Sequence, residues 1–396
     1  MWHGGGVRLE TTTVASVRSA GSSALRWAAP ALLGYAAVRA VGVLTLVLWS
    51  PGPRPGPGGG TGGGLSRLAT FWDAFWYRSL AVHGYAGTPP VPGPHGLYQP
   101  YAFFPAYPLL VRAVPGLPVG AAVLLVTWAA SLAAAWGIFA IAARLYGRRA
   151  GVIAAVLWGV LPYAVVESAA YSEALFTALA AWSVYAAIRR WWVWSGALSL
   201  LAGLTRPTGV ALAGAVCCAA LWEFARCRGG RRALLGCALA PLGFLGYVAW
   251  VGLRLHRWDG YFRVQDAWES HVDFGRSTFY AFKRLLMAGG PVWLTDAVVA
   301  LVLVAAVVLF ALSLLQRQPP VLLLYSAAML ALALGDAAYF NSRARFLLPA
   351  FGLLLPLAAG LARIRSRAAL YLLLGSAAVV SAAYGGYVVF VYPDAP

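Results

Sequence analysis

What most constrains this chain is a recurrent long apolar run. Stretches such as residues 297–315 and 321–334 follow one another, broken by short Arg clusters. About 20 apolar residues are what a helix needs to cross the hydrocarbon of a bilayer. In that medium the backbone must satisfy its own hydrogen bonds, which leaves helices and closed barrels. Nothing here alternates apolar and polar with the period of a lipid-facing barrel strand. The chain is 61% hydrophobic and 11% charged over 396 residues, whereas a soluble domain carries about a quarter charged residues. The expectation is an all-α polytopic membrane protein.

About eleven transmembrane helices can be drawn, with ends uncertain by a few residues. They fall near 27–49, 119–143, 150–166, 171–188, 192–204, 207–224, 233–253, 292–315, 320–339, 346–362 and 369–391. Lys and Arg number 30 against 12 Asp and Glu, and Lys283 is the one lysine. In a soluble protein that excess would point to nucleic acid. Between apolar runs it reads as clusters that set topology and meet anionic lipid, so no nucleic-acid partner is expected. With the N-terminus in the cytoplasm, Arg144/Arg148/Arg149, Arg189/Arg190, Arg226/Arg228/Arg231/Arg232, Arg317 and Arg363/Arg365/Arg367 all lie inside, as the positive-inside bias requires.

That frame makes residues 1–26 a cytoplasmic tail, 27–391 the transmembrane domain and 392–396 an outer tail. Two long loops face outward, 50–118 and 254–291. The first opens on a Pro/Gly linker, 51–64. Its aromatic-rich continuation suits helices lying in the membrane interface. No Gly-Lys-Ser/Thr follows the glycine run, so it is not a phosphate loop. Cys217, Cys218, Cys227 and Cys237 lack metal-ligand spacing, and the histidines are scattered; no metal site, disulfide framework or cofactor is expected. Paired loop carboxylates still leave room for Mg or Mn.

In this topology the acids collect on the outer side, and only Glu10 and Glu223 fall inside. Asp73, Glu167, Glu173 and Asp336 sit in apolar surroundings at helix ends, where a charge is costly and needs a cavity or partner. Asp73 lies in Phe71-Trp72-Asp73-Ala74-Phe75-Trp76-Tyr77. A desolvated Asp can act as a general base, and an Asp at that place can equally cap an interfacial helix; the residues alone leave both readings open. Arg206, before Pro207 at a helix start, fits an anion site or a side chain snorkelling to headgroups. Arg343 and Arg345 precede another helix whose N-terminus is outside, where cations are unfavourable; a bound anion or a lipid headgroup would account for them. Glu173 follows Ser172 at a helix start, as capping and the helix dipole prefer. Arg39 lies about 20 Å along the first helix from Arg26, a functional candidate whose partner the residues do not name.

Four blocks carry a family resemblance. Trp72-Asp73-Ala74-Phe75-Trp76-Tyr77 with Leu80-Ala81-Val82-His83-Gly84-Tyr85 resembles the first outer loop of the phosphatidylinositol-glycan class V mannosyltransferases. Ala102-Phe103-Phe104-Pro105-Ala106-Tyr107-Pro108, Ala170-Tyr171-Ser172-Glu173-Ala174-Leu175-Phe176 and Gly203-Leu204-Thr205-Arg206-Pro207-Thr208-Gly209 are similar to later elements, in the family's order. The segment from Ser342 to Pro349 fits a late one.

The resemblance implies a GT-C type helical bundle, with a long first outer loop carrying interfacial helices. It further implies a glycosyltransferase that takes mannose from a polyprenyl phosphate at the outer face of the cell membrane. Asp73 maps onto that class's essential acid. Inverting transfer needs a base for the acceptor and cations for the departing phosphate. Asp73 would supply the first, and Arg206 with Arg343 or Arg345 the second, with Trp72, Tyr77, Tyr171 and Glu173 around them. The linker, the Arg-over-Lys usage and the Gly/Ala richness point to a GC-rich bacterium, an actinobacterium. The expected acceptor is therefore a cell-envelope glycan, lipid or protein. Two rivals stand beside this reading. A transporter or flippase for an anionic lipid would place its charges near the midplane with repeat symmetry. An inactive scaffold would turn Asp73 into lipid, away from Arg206.

Overall fold

The computed structural model describes residues 12–49, 63–93, 96–227, 230–287, 292–337 and 339–394, with side chains from Ser23 onward. The expected cytoplasmic tail up to residue 11, the Pro/Gly linker over 51–62 and the last two residues of the outer tail lie outside the described residues.

The chain is built almost wholly of helices. Helix α1 (Thr12–Leu48) leads into α2 (Gly64–Thr70), α3 (Asp73–Gly87), the ribbon β1 (Val91–Gly93) and β2 (Gly96–Tyr98), and α4 (Ala106–Arg112). The ribbon is antiparallel with Val91 opposite Tyr98. The bundle continues with α5 (Val119–Tyr146), α6 (Arg148–Gly159), α7 (Glu173–Ile188), α8 (Trp192–Gly203) and α9 (Gly209–Ala225). Then come α10 (Gly230–Leu239), α11 (Leu242–Arg254), α12 (Gly260–Ala267), α13 (Arg276–Met287), α14 (Leu294–Leu315) and α15 (Pro320–Gly335). The chain closes with α16 (Arg343–Phe346), α17 (Leu355–Leu361) and α18 (Arg367–Phe390). It is an all-α, polytopic arrangement.

The expectation of about eleven crossings is overturned. Among the described residues five helical segments are long and apolar enough to cross a membrane: Ser23–Leu48, Val119–Tyr146, Gly230–Arg254, Leu294–Leu315 and Arg367–Phe390. A sixth is added only if Phe340–Phe346 and Phe351–Leu361, bent by 75°, count as one span. The other apolar runs do form helices, but α6, α7, α8, α9 and α15 have 12, 16, 12, 17 and 16 residues. At 1.5 Å per residue these reach about 18–26 Å, short of the roughly 30 Å hydrocarbon core. Local chemistry ends them. Pro162 disfavours helical backbone at Leu161, and Ser172, Arg206 with Pro207, and Asp336 lie at the ends of α7, of α8 and α9, and of α15.

Helix α5 packs on α1, α6 and α7 through a stripe that includes Ala134, Ala135, Ile138, Phe139 and Ala142, all wholly buried. Helix α8 meets α10 and α11 along a glycine seam. A Cβ on Gly243 would fall 1.8 Å from the Leu200 carbonyl oxygen, and one on Gly236 would fall 2.4 Å from that of Trp192. Small residues let backbones approach this closely where lipid supplies no hydrophobic drive between helices.

The molecule has two chemically different ends. At one, Arg148 donates to the Trp27 carbonyl at 3.1 Å, Arg149 to that of Ile364 at 2.6 Å, and Arg190 pairs with Glu223 at 3.2 Å. From there α7, α9 and α15 connect the turns at Arg189, Arg226 and Arg317 to Glu173, Arg206 and Asp336. The loop elements α2–α4 join that second end. The Ala170 amide donates to the Leu68 carbonyl at 2.8 Å, and the Ala106 amide to that of Leu204 at 2.9 Å.

Candidate active site

Between the loop elements and the bundle lies a cavity of about 1570 Å³. Trp72, Asp73 and Tyr77 face it from α3 and the turn before it, Arg206 from the α8–α9 turn, and Arg345 from α16. Asp73 is the first residue of α3. Trp72 before it has φ 47°, a backbone conformation that costs on the order of 1–3 kcal/mol for a non-glycine residue and is characteristically kept at functional sites.

The Asp73 carboxylate, on a side chain 20% exposed, takes Nη1 of Arg345 at 3.0 Å. Nε of Arg345 stands 3.4 Å from Oε1 of Glu173, and the same oxygen lies 2.7 Å from Nη1 of Arg206. That Arg206 nitrogen also donates to Oγ of Ser172 at 3.2 Å, which accepts a second bond from the Tyr77 hydroxyl at 2.7 Å. The Arg345 guanidinium sits 5.4 Å from the centroid of the Tyr171 ring. Two carboxylates and two guanidiniums thus alternate, and buried charges are tolerable only in such company. Burial raises the proton affinity of Asp73 above the ordinary carboxylate range; Arg345 opposes this, Glu173 adds to it and Arg206 opposes it.

The structure therefore brings Trp72, Asp73, Tyr77, Tyr171, Glu173, Arg206 and Arg345 to one place. Glu173 starts α7, yet its side chain is 1% exposed and lies between the two arginines. Arg343 lies outside the cluster. Fully buried, it donates to the Ser277 hydroxyl at 2.6 Å, to the Asp336 carbonyl at 2.5 Å and to the Thr278 hydroxyl. Beside it the Asp273 amide donates to the Gly335 carbonyl at 2.9 Å and the Ala337 amide to that of His271 at 2.8 Å. Arg343 is a clasp between the second loop and the end of α15. Its separation from Arg345 follows from helix geometry, since residues two apart point about 200° from each other.

Arg39 finds its partners far along the chain: the Ser168 hydroxyl at 3.0 Å and the Gly159 carbonyl at 3.1 Å, next to a Tyr35–Glu167 hydrogen bond of 2.9 Å. From the sequence Ser172 reads as a helix cap, Trp268 as one of the second loop's aromatics, and neither Trp268 nor Tyr98, which line the cavity, is assigned to the site. Aromatic density in both loops was the available signal. Among the described residues, no three His, Cys, Asp or Glu side chains converge as metal ligands.

No family model matches the chain, and no curated protein matches it. Solved structures do. ArnT from Cupriavidus metallidurans bound to undecaprenyl phosphate superposes with TM-score 0.51 at 17% identity, over 86% of this chain and 62% of ArnT. Its apo state gives 0.52 at 18%, over 87% and 61%. AglB, an oligosaccharyltransferase of Archaeoglobus fulgidus in complex with an inhibitory peptide and a dolichol-phosphate, is a looser match, TM-score 0.49 at 14% identity over 90% of this chain and 55% of AglB, too weak to argue from. The chain thus spans 62% of the length of the ArnT it matches. At such identities the likeness shows that this chain shares the fold of ArnT and nothing beyond the fold.

Proposed function

We propose that this chain is a membrane glycosyltransferase that moves a sugar from a polyprenyl-phosphate donor to an acceptor hydroxyl. The observation that carries the reading is one cavity holding a carboxylate of raised proton affinity beside two guanidiniums whose present partners are carboxylates. The fold shared with ArnT supports a lipid-phosphate donor. The ordered motifs support mannose as the sugar, and a bacterial cell-envelope glycan, lipid or protein as the acceptor. The Arg-rich turns support a cytoplasmic N-terminus and a cavity on the outer face.

The residues divide the work by charge. The donor phosphate exchanges places with Glu173 and Asp73 as partner of Arg206 and Arg345, because guanidinium forks fit phosphate oxygens well. Asp73, released from Arg345, accepts the acceptor's proton as its oxygen bonds to the sugar's anomeric carbon. The bond from that carbon to the phosphate oxygen breaks, and the phosphate leaves with the electron pair into the field of the two arginines. Attack opposite the leaving group inverts the anomeric centre.

The test is transfer by membranes carrying Asp73→Asn or Asp73→Ala, supplied with polyprenyl-phosphate mannose. Losing a general base lowers the rate about 10²–10⁴-fold, while donor binding persists. Undiminished transfer removes Asp73 from the role. A wild-type protein that binds the donor without ever cleaving its glycosyl–phosphate bond overturns the transferase reading and leaves the transporter and the inactive scaffold.

A further inference from the structure

A buried charge within α1 takes no part in the chemistry proposed above. Arg39 is 8% exposed, and among the described residues its hydrogen bonds go to neutral oxygens. Nε and Nη2 donate to Oγ of Ser168 at 3.1 and 3.0 Å, and Nη1 donates to the Gly159 carbonyl at 3.1 Å. The neighbouring Glu167 carboxylate takes the Tyr35 hydroxyl instead. Gly42, one turn further along α1, leaves room for the guanidinium, since a Cβ there would stand 3.1 Å from Nη2. A charge held on neutral partners in an apolar bundle is costly. What a guanidinium supplies that a neutral side chain does not is a rigid planar fork, which fixes two acceptors relative to each other. Here they are the last residue of α6 and Ser168, the end of the 3₁₀ turn Ala164–Ser168.

The residues beyond Ser168 make that spacing matter. The Ser168 carbonyl accepts the Trp128 indole N–H of α5 at 3.0 Å. Two residues on, the Ala170 amide donates to the Leu68 carbonyl at 2.8 Å, in α2, the helix that leads into Trp72 and Asp73. Ser172 and Glu173 then meet Arg206, and Glu173 meets Arg345. Residues 169–172 belong to no helix, so long-range bonds rather than a regular backbone ladder set their position. The segment 168–173 is a strut: the arm that ends in Asp73 hangs on its middle, and Glu173 stands at its far end.

We infer that Arg39, acting through Ser168, is a positioning residue for the proposed transfer. It fixes the strut and with it the spacing between Asp73 and the Glu173–Arg206 pair, from outside the cavity lining. This rests on the reading of the chain as a glycosyltransferase and deepens it.

The test compares Arg39→Lys and Ser168→Ala with Ser183→Ala, using the full chain in lipid nanodiscs. Ser183 donates to the Ser195 carbonyl at 2.8 Å, a buried interhelical bond away from the strut, so its loss reports a merely structural effect. Amide hydrogen exchange, which needs no turnover, is expected to speed up across 168–173 in the first two variants and not in Ser183→Ala. Transfer from polyprenyl-phosphate mannose, per folded molecule, is expected to lose about 10–100-fold in kcat in Arg39→Lys, the scale of a displacement of about 1 Å. Lys keeps the charge but supplies no fork. Ser168→Ala is expected to lower kcat in the same direction, and Ser183→Ala to keep the wild-type value. In an Asp73→Asn background Arg39→Lys is expected to cost little more, because the base it helps to place is gone. Unchanged exchange across 168–173 in both strut variants, wild-type kcat in both, or the same fold loss from Arg39→Lys with and without Asp73→Asn overturns this inference alone. Absence of transfer by the wild type sinks the glycosyltransferase reading, and this role with it.

Discussion

At the scale of single residues, Asp73 and the two neighbouring arginines of α16 show how position decides role. Burial lifts the Asp73 carboxyl above the ordinary carboxylate range, and Arg345 limits the rise. A base acts when ionised, so kcat/KM climbs with pH as this proton leaves. Its acid limb is expected above the usual carboxylate range, and the residual rate of Asp73→Asn is expected to lack it. The stability effect has the opposite sign: the folded state holds this proton more tightly than the unfolded chain, so ionisation between the ordinary and the raised value costs stability as pH rises. Arg343 and Arg345 separate by a different measurement. Arg343→Met removes charge-assisted hydrogen bonds and is expected to lower stability by about 1.5–3 kcal/mol, read as a drop in Tm. Arg345→Met strips a partner from the buried Asp73 and Glu173 carboxylates and lowers Tm as well; what sets it apart is a rise in donor KM, which Arg343→Met is expected not to show. Asp73 was visible in the sequence as an acid in an aromatic, apolar setting. Its partner was not, because Arg345 lies 272 residues away and nothing local announces the pair.

At the scale of elements, apolar periodicity located most helices to within a few residues, because side-chain burial is written into each run. It overstated how many cross a membrane, because crossing depends on uninterrupted length. Helices α7, α9 and α15 have an end at the cavity, where Glu173, Arg206 and Asp336 turn the chain; the same residues that shorten the helices line or brace the site. The α8–α11 seam gives a test of packing. Gly243→Val drives a side chain into the Leu200 carbonyl and is expected to cost about 3 kcal/mol, at the upper end for an overpacked position. Gly246, on the same helix, has open space at its Cβ, so Gly246→Val is expected to behave as wild type. Yield of monodisperse protein on size exclusion reads the difference.

At the scale of the whole molecule, charge runs one way. Arg-rich turns gather at one end, while the ion-pair cluster and the aromatic loops gather at the other. Native cysteines can report which end faces outward. Cys227 is exposed in the turn after α9, among Arg226, Arg231 and Arg232. A membrane-impermeant maleimide is expected to spare it in intact cells and to label it after permeabilisation. Labelling in intact cells would invert the proposed topology. The chain by itself determined the medium, the helical class and the polarity of its two ends, since these follow from runs of like residues along a backbone that must bond to itself in lipid. Only the tertiary structure decided how many helices are long enough to cross, that Glu173 sits between Arg206 and Arg345, and that Arg343 is a clasp while its near neighbour faces Asp73. Such pairings join residues far apart in the chain. Desolvation makes each charge seek a counter-charge, but the packing of helices chooses which one it meets.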